Sequence, residues 1–306
     1  MDEKLLSVVI PAYNEEENII PAAETILAIL DEANIPCELI FVNDGSRDKT
    51  WERIEALAQK QTNVHGICLS KNFGKEAAIF AGLSAANGAA SVVLDADMQH
   101  PPEQIVTMYR MWEQGAEIVQ GVKKDRGEEA KLHSLAAKTF YALISRATKT
   151  DMHRASDFKL LDKKAVLALL SLPERNAFFR ALSSWIGFST AEVEYEVRPR
   201  TKGETKWSYG ALFRYAVRSL ASFSSMPLKI ILFLGALVLL VSVVLSGIAL
   251  YQKAVGIALG GFTTVILVLL FMGSMIMLAL GCIGYYIAKI YDEIKARPRY
   301  IISKKC

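Results

Sequence analysis

Ser91-Val92-Val93-Leu94-Asp95-Ala96-Asp97-Met98-Gln99-His100-Pro101-Pro102 decides how this chain reads. Its first four residues form a short apolar, β-branched run, the pattern of a buried strand. Two carboxylates spaced i, i+2 follow where that strand ends, and two prolines then open a helix. Paired carboxylates at a strand end can share a hard divalent cation, with Gln99 offering a further oxygen, and Mg2+ or Mn2+ suits such ligands. An acidic pair by itself is common in loops. Its position directly after an apolar strand gives this one weight.

The same alternation runs outward in both directions. Ser7 to Ile10 reads as a strand and Glu16 to Ala33 as a helix. Glu38 to Val42 is a second strand, followed by a helix through Trp51, Ile54, Leu57 and Ala58 at helical spacing. His65 to Leu69, an alanine-rich helix from Lys75 to Ala86, and a fifth strand from Glu117 to Val122 continue it. The fold class is therefore α/β, a mostly parallel sheet with helices on both faces. Ligands on open sheets of this kind bind beyond the carboxyl ends of the strands. Pro11-Ala12-Tyr13-Asn14-Glu15, Asn43-Asp44-Gly45-Ser46 and Asp95-Ala96-Asp97 are thus expected in one neighbourhood. The second of these also reads as a turn, with Asp48 as a helix cap, and Asp44 can in addition accept from a nucleoside base or ribose. After the first strand stands Pro11-Ala12-Tyr13 rather than Gly-x-Gly-x-x-Gly, which argues against a dinucleotide-dependent oxidoreductase.

The carboxyl-terminal third has a different composition. The chain has 306 residues, 52% of them apolar, and the apolar residues are concentrated there. No charge occurs from Ile230 to Tyr251 or between Lys253 and Lys289. Each run exceeds the ~20 apolar residues needed to cross a ~30 Å hydrocarbon core, and two transmembrane helices are expected, at about 229–251 and 259–288. Arg214, Arg218 and Lys229 precede the first; Lys289, Lys295, Arg297, Arg299, Lys304 and Lys305 end or follow the second; the turn offers only Lys253. The positive-inside rule then places both termini in the cytoplasm and the protein in the cytoplasmic membrane. Met1-Asp2-Glu3-Lys4 does not open a signal peptide. The four cysteines show no metal or redox spacing and read as reduced thiols. Gly284 and Ala288 form a small-xxx-small pair that permits close helix approach, either in a homo-oligomer or between the two spans of one chain.

Two segments before the spans each carry two readings. Trp207, Ala211, Leu212, Tyr215, Leu220 and Phe223 can share one face of a helix opposite Arg214 and Arg218. That pattern suits an interfacial helix lying among membrane lipids, and equally a helix packed on the soluble domain. Arg198 to Lys206 is a basic, glycine-interrupted loop. It reads as a solvated linker drawn to anionic lipids, or as a clamp in which Arg200 and Lys206 reach phosphates. The domain layout is then 1–205, 206–226 and 227–306, the last being a hairpin with a cytoplasmic tail.

Taken together, the motifs resemble a known family. Pro11 to Glu15, Asn43 to Ser46, Asp95 to Pro102, Ser156-Asp157-Phe158-Lys159-Leu160 and Gly203-Glu204-Thr205-Lys206 occur in the order found in polyprenyl-phosphate glycosyltransferases of glycosyltransferase family 2. The two spans and Arg297-Pro298-Arg299-Tyr300 look like the bactoprenol glucosyltransferase branch. The resemblance implies a GT-A fold and inverting transfer from a nucleotide-sugar to a polyprenyl phosphate, with Mg2+ or Mn2+ as cofactor and no nucleic-acid partner. It assigns Pro11, Tyr13, Glu15, Val42 and Asp44 to the nucleoside, and Asp95, Ala96, Asp97 and Gln99 to metal and diphosphate. Lys123, Arg200 and Lys206 would meet phosphates, and Asp157 would stand at the reaction centre. Asn43 stands where many members have aspartate, and Lys123 where the mannose synthases have arginine.

A phosphate monoester acceptor has a second pKa of about 6, so near neutrality it is largely a dianion and already a competent nucleophile. Asp157 is therefore expected to orient the acceptor or a basic partner such as Arg154 rather than to remove a proton. A processive polysaccharide synthase would carry Gln-x-x-Arg-Trp, and Arg180 and Trp185 lack that spacing. UDP-glucose is the favoured donor by branch resemblance, with mannose, galactose, N-acetylhexosamine or aminoarabinose donors as alternatives. A reading from another class is a non-catalytic nucleotide-binding membrane subunit.

Overall fold

The computed structural model describes residues 4–124, 156–174, 178–196, 226–256 and 261–306. The chain divides into two units, Met1–Phe213 with Pro298–Cys306, and Arg214–Arg297. In the first unit β1 (Leu6–Ala12) is buried at every position. It lies between two parallel neighbours, β2 (Cys37–Asn43) and β4 (Ala90–Val93). Strands covered by helices on both faces cannot alternate polar and apolar residues, which is why they read as continuous apolar runs. α1 (Ile19–Glu32) buries Ile19, Ala22, Ala23, Ile26 and Leu30, and α2 (Thr50–Ala58) buries Trp51, Ile54 and Leu57. β3 (Val64–Leu69) pairs in parallel with β2. α3 (Lys75–Ala85) follows, buried from Ala77 to Leu83. Its alanines and Gly82 let it lie close to the sheet, since a Cβ on Gly82 would fall 2.3 Å from Val9 Cγ1. α4 (Gln104–Glu113) and β5 (Ile118–Lys123) complete the expected alternation.

Three strands lie outside that alternation, and two of them run antiparallel in an otherwise parallel sheet. β6 (Lys159–Asp162) is inserted antiparallel between β4 and β5. It leads into α5 (Lys163–Ser171), and α6 (Phe179–Trp185) follows. β7 (Thr190–Tyr195) pairs in parallel with β5 at one edge. β8 (Ile302–Lys305) pairs antiparallel with β3 at the other, giving the order β7-β5-β6-β4-β1-β2-β3-β8. The residues read as a trailing cytoplasmic tail are therefore a strand of the first unit. The insertion of β6 matters most. Because it runs against β4, with Lys159 opposite Val93, the residues entering it arrive where β4 ends.

The second unit contains α7 (Met226–Ala254) and α8 (Phe262–Ile294). Their segments Phe233–Gln252 and Phe271–Tyr291 are long and apolar enough to cross a membrane. Side chains such as Leu240 and Phe271 are more than half exposed. A soluble protein does not leave so much apolar surface in water. Of the segment 206–226, read as an interfacial helix, residues 206–225 lie outside the described residues, and Met226 begins α7.

β8 generates a stability prediction. Gly66 and Cys306 exchange two backbone hydrogen bonds, and Ser70 N–H donates to the Ile301 carbonyl. At about 1 kcal/mol net for each bond, deleting residues 301–306 costs about 3 kcal/mol. That lowers the melting temperature of the detergent-purified protein by ~10 °C. An unchanged melting temperature by differential scanning fluorimetry would remove β8 from the fold.

Candidate active site

Beyond the last residue of β4 the chain is held to the sheet by Leu94 N–H donating to the Val9 carbonyl, and then turns away. Met98 takes a left-handed conformation, φ 57°. This lets Gln99 N–H donate to Asp97 Oδ1 at 3.2 Å. The acidic pair is thus braced by its own loop. Asp95 turns toward α3, where Lys75 Nζ lies 2.6 Å from its Oδ1.

The same ammonium donates to Asp157 Oδ2 at 2.8 Å. Asp157 precedes β6 by two residues, and the antiparallel insertion of that strand brings it beside Asp95. Arg180 on α6 completes the group, its guanidinium donating to Asp157 Oδ1 at 2.6 Å and Oδ2 at 2.9 Å. Asp157 is 5% exposed, and a carboxylate so buried persists only with such partners. Burial pushes Asp157 upward, but Lys75 and Arg180 override it and hold the carboxyl well below the usual range. Burial likewise opposes ionisation of Asp95, and Lys75 and His100 hold it low. Burial pulls Lys75 down, yet Asp95 and Asp157 raise it above an ordinary lysine. All three are charged throughout the working pH range.

Two further ionisable groups flank the cluster. Glu76 Oε2 accepts the backbone N–H of Phe179 at 2.8 Å. Burial and the neighbouring Asp157 carboxylate push Glu76 up to about 7, against the Phe179 N–H, Lys75 and Arg180. Lys159 is fully buried, and its Nζ donates to Ser183 Oγ at 2.8 Å and to the Arg180 carbonyl at 3.3 Å. Burial lowers it to about 8, with Asp157 opposing. His100 is stacked on Phe158, its Nε2 3.5 Å from Asp95 Oδ2, so it backs the acidic loop from below.

The nucleoside-side residues are held by a second set of contacts. Asp44 accepts Phe73 N–H at 2.7 Å on one oxygen and Gly74 N–H at 2.9 Å on the other. This fixes the start of α3. Gly45 has φ 64°, and a Cβ there would meet the Lys71 carbonyl carbon at 2.4 Å, so the two loops touch backbone to backbone. Asn14 N–H donates to Ser46 Oγ, and Glu15 N–H to Thr50 Oγ1. The N-cap of α2 is Lys49 rather than Asp48, and Asp48 Oδ1 accepts the N–H of Thr50, the first residue of the helix, from one position further out.

The carboxyl ends of β1, β2 and β4 thus carry Pro11 to Glu15, Asp44 and Asp95 to Gln99 on one sheet edge, with Lys123 at the end of β5. Partial burial and the nearby Arg180 charge lower the pKa of Lys123. Two of the assigned residues have buried side chains. Val42 is fully buried among Ile40, Ile67, Leu69 and Ala78, and Ala96 is 3% exposed within the core. Each can offer a ligand only its backbone: the pleat of β2 turns Val42 inward, and Ala96, in the turn after β4, packs into the core. Gln99 enters the site through its backbone N–H. Arg154, Arg200 and Lys206 lie outside the described residues.

Sequence reasoning missed Lys75, Glu76, Arg180 and Lys159 as members of this cluster. For Lys75 a signal existed: Gly74, at φ 98°, precedes a helix that begins with a lysine at the ligand-binding edge. Nothing local marks Arg180, whose role depends on where α6 packs.

Among the described residues no three His, Cys, Asp or Glu side chains converge. Both oxygens of Asp95 face Lys75 within hydrogen-bond distance. Asp97 and its neighbour therefore suit an ion that takes one or two protein carboxylates and fills its shell with substrate phosphate and water. Mg2+ and Mn2+ fit that description.

Comparison with known proteins agrees with the geometry. The putative glycosyltransferase CsbB of Bacillus subtilis is 38% identical over 99% of this chain and 93% of its own length. A prophage bactoprenol glucosyl transferase homolog of Escherichia coli is 34% identical over 98% of each chain. Glucosyl-3-phosphoglycerate synthase of Mycobacterium tuberculosis, solved with Mn2+, UDP and phosphoglyceric acid, superposes with a TM-score of 0.51. It is 22% identical over 72% of this chain and 78% of that one, a likeness of fold. The description of Glycosyl transferase family 2 matches residues 7–169. A mixed sheet of this order, an acidic pair at the end of β4 and relatives matched over nearly their whole length lead to one conclusion: the chain belongs to glycosyl transferase family 2 and has the GT-A fold.

Proposed function

We propose that this protein transfers glucose from UDP-glucose to a polyprenyl phosphate, with inversion at the anomeric carbon, at the cytoplasmic face of a membrane. The observation that carries the reading is the charged cluster of Asp95, Lys75, Asp157 and Arg180 at the carboxyl edge of the sheet. It belongs to a chain whose match to a bactoprenol glucosyl transferase homolog includes both apolar helices. An acceptor tethered in a bilayer requires an enzyme anchored at the interface, and the hairpin supports that anchoring.

The nucleoside is assigned to Pro11, Tyr13, Glu15 and Asp44, with Tyr13 40% exposed and able to offer its ring to a base. Asp97, with Asp95 and Gln99 beside it, would hold the Mg2+ or Mn2+ ion, which when bound neutralises charge on the diphosphate leaving group. Lys123 is assigned to a phosphate, as are Arg200 and Lys206 of the basic loop. Asp157 keeps its charge and has both oxygens engaged by cations, so it is a poor proton acceptor. Its work is to hold Lys75 and Arg180 in place beside the reacting centre. The acceptor phosphate supplies the nucleophilic oxygen as a dianion and needs no base.

Three measurements test this. Radiolabelled UDP-glucose, UDP-galactose, UDP-N-acetylglucosamine and GDP-mannose are offered with undecaprenyl phosphate. Labelled lipid is expected from UDP-glucose, and label from another donor alone would replace the sugar. Asp97→Ala is expected to lower turnover ~10³-fold, the loss of about 4 kcal/mol of charge stabilisation. EDTA should do the same reversibly, and full activity in EDTA would remove the metal. Asp157→Asn should retain measurable turnover, with a pH–rate profile whose acidic limb follows the acceptor near pH ~6. That limb should persist in Glu76→Gln, which separates it from the Glu76 carboxyl. A dead Asp157→Asn variant with wild-type donor affinity would make Asp157 a base.

A further inference from the structure

Arg180 reaches Asp157 from a helix of only seven residues, α6, too short to hold its own geometry. Something outside the helix must fix it. Its two sides are met by side chains of opposite charge from different elements. Glu76, on the first turn of α3, accepts the N–H of Phe179 at 2.8 Å. Lys159, at the start of β6, donates to the carbonyl of Arg180 at 3.3 Å and to Ser183 Oγ at 2.8 Å. These contacts bracket the backbone of residues 179–180, from which the guanidinium projects. The bonds from the Lys159 ammonium are charge-assisted, and such bonds are roughly twice as strong as neutral ones.

Neither group has another evident use. A fully buried lysine is costly, and Lys159 is drawn below its ordinary pKa by that burial. Among the described residues, the hydrogen bonds of its ammonium go to α6. Glu76 is turned toward α6, where its Oε2 accepts the N–H of Phe179 beside Arg180.

We infer that Glu76 and Lys159 are positioning residues which, from opposite sides of α6, hold the Arg180 guanidinium on Asp157 in the geometry that transfer requires. This rests on the assignment of the Asp157 cluster as the transfer site. Neither residue touches substrate; each acts through Arg180. A neutral Glu76 still accepts the Phe179 N–H through its carbonyl oxygen, so its shape and acceptor oxygen, not its charge, are required.

The test is a double-mutant cycle on the full-length protein with UDP-glucose and undecaprenyl phosphate. Glu76→Ala and Lys159→Met should each lower kcat about tenfold with donor KM nearly unchanged. In an Arg180→Ala background both should be almost silent, because the group they position is gone. Glu76→Gln should keep most of wild-type kcat. Ser183→Ala, a change small enough to fold, should lower kcat in the same direction and be silent beside Arg180→Ala. Additive losses, a wild-type kcat in Arg180→Ala, or a Glu76→Gln variant as impaired as Glu76→Ala would overturn the inference. Hydrogen exchange at the Phe179 and Arg180 amides, faster in Glu76→Ala, reads the positioning without any turnover. If wild-type protein transfers no sugar, the proposed function fails, while unchanged exchange in Glu76→Ala would sink the positioning claim independently.

Discussion

The ammonium of Lys75 between Asp95 and Asp157 is the constraint on which the site depends. Three carboxyl groups, Asp95, Asp157 and Glu76, gather around it and Arg180. Two unit charges 4 Å apart interact by about 4 kcal/mol at the effective dielectric of a protein surface, so like charges this close do not coexist without cations between them. Lys75 and Arg180 keep two of the carboxylates ionised, and the third, Glu76, takes up the remaining repulsion as a raised pKa. Removing one partner of a buried pair typically costs 3–5 kcal/mol, since the other charge is then left uncompensated. The cluster holds as a unit.

The rest of the fold delivers these groups from four separated stretches of sequence. Asp44 fixes Phe73 and Gly74, and so the position at which α3 begins and Lys75 projects. β4 ends at Asp95, and antiparallel β6 starts beside it with Asp157 just ahead. The far end of the chain packs on α3 as well. Arg299 lies over the Phe80 ring at 4.5 Å and donates to the Leu172 carbonyl, and Tyr300 Oη is 2.7 Å from Ser84 Oγ. The helix that carries Lys75 at its first turn is thus gripped along its length by residues that follow the apolar hairpin in sequence.

Much of this was legible before any coordinates. Strands buried on both faces announce themselves as apolar runs, and the alternation from β1 to β5 follows from them. The acidic pair stands at the expected strand end because sheet topology, not local sequence, selects that edge. The missing pieces failed for different reasons. Lys159-Leu160-Leu161-Asp162 is four residues with a charge at each end, too short for a period to show. β8 is Ile302-Ser303-Lys304-Lys305, an edge strand whose polar face resembles a tail. Thr190 to Tyr195 does alternate, with Ala191, Val193 and Tyr195 against Glu192 and Glu194, and was readable as a strand. Val42 and Ala96 were assigned to ligand by position in a motif, and both side chains are buried, which leaves the backbone as what each can offer. Arg180 was the least legible, because its partner lies 23 residues away and only the packing of α6 brings them together.

The central claim is that the carboxyl edge bearing Asp44, Asp97 and the Lys75 cluster is where a nucleotide-sugar is bound and cleaved. Diffraction from crystals of the full chain grown with UDP and Mn2+ tests it most directly. The account predicts the uridine against Pro11 to Glu15 and the Asp44 loop, with the metal and diphosphate beside Asp97 and within reach of Lys123. A nucleotide bound at the opposite edge of the sheet, or a diphosphate out of reach of Asp97, would contradict it.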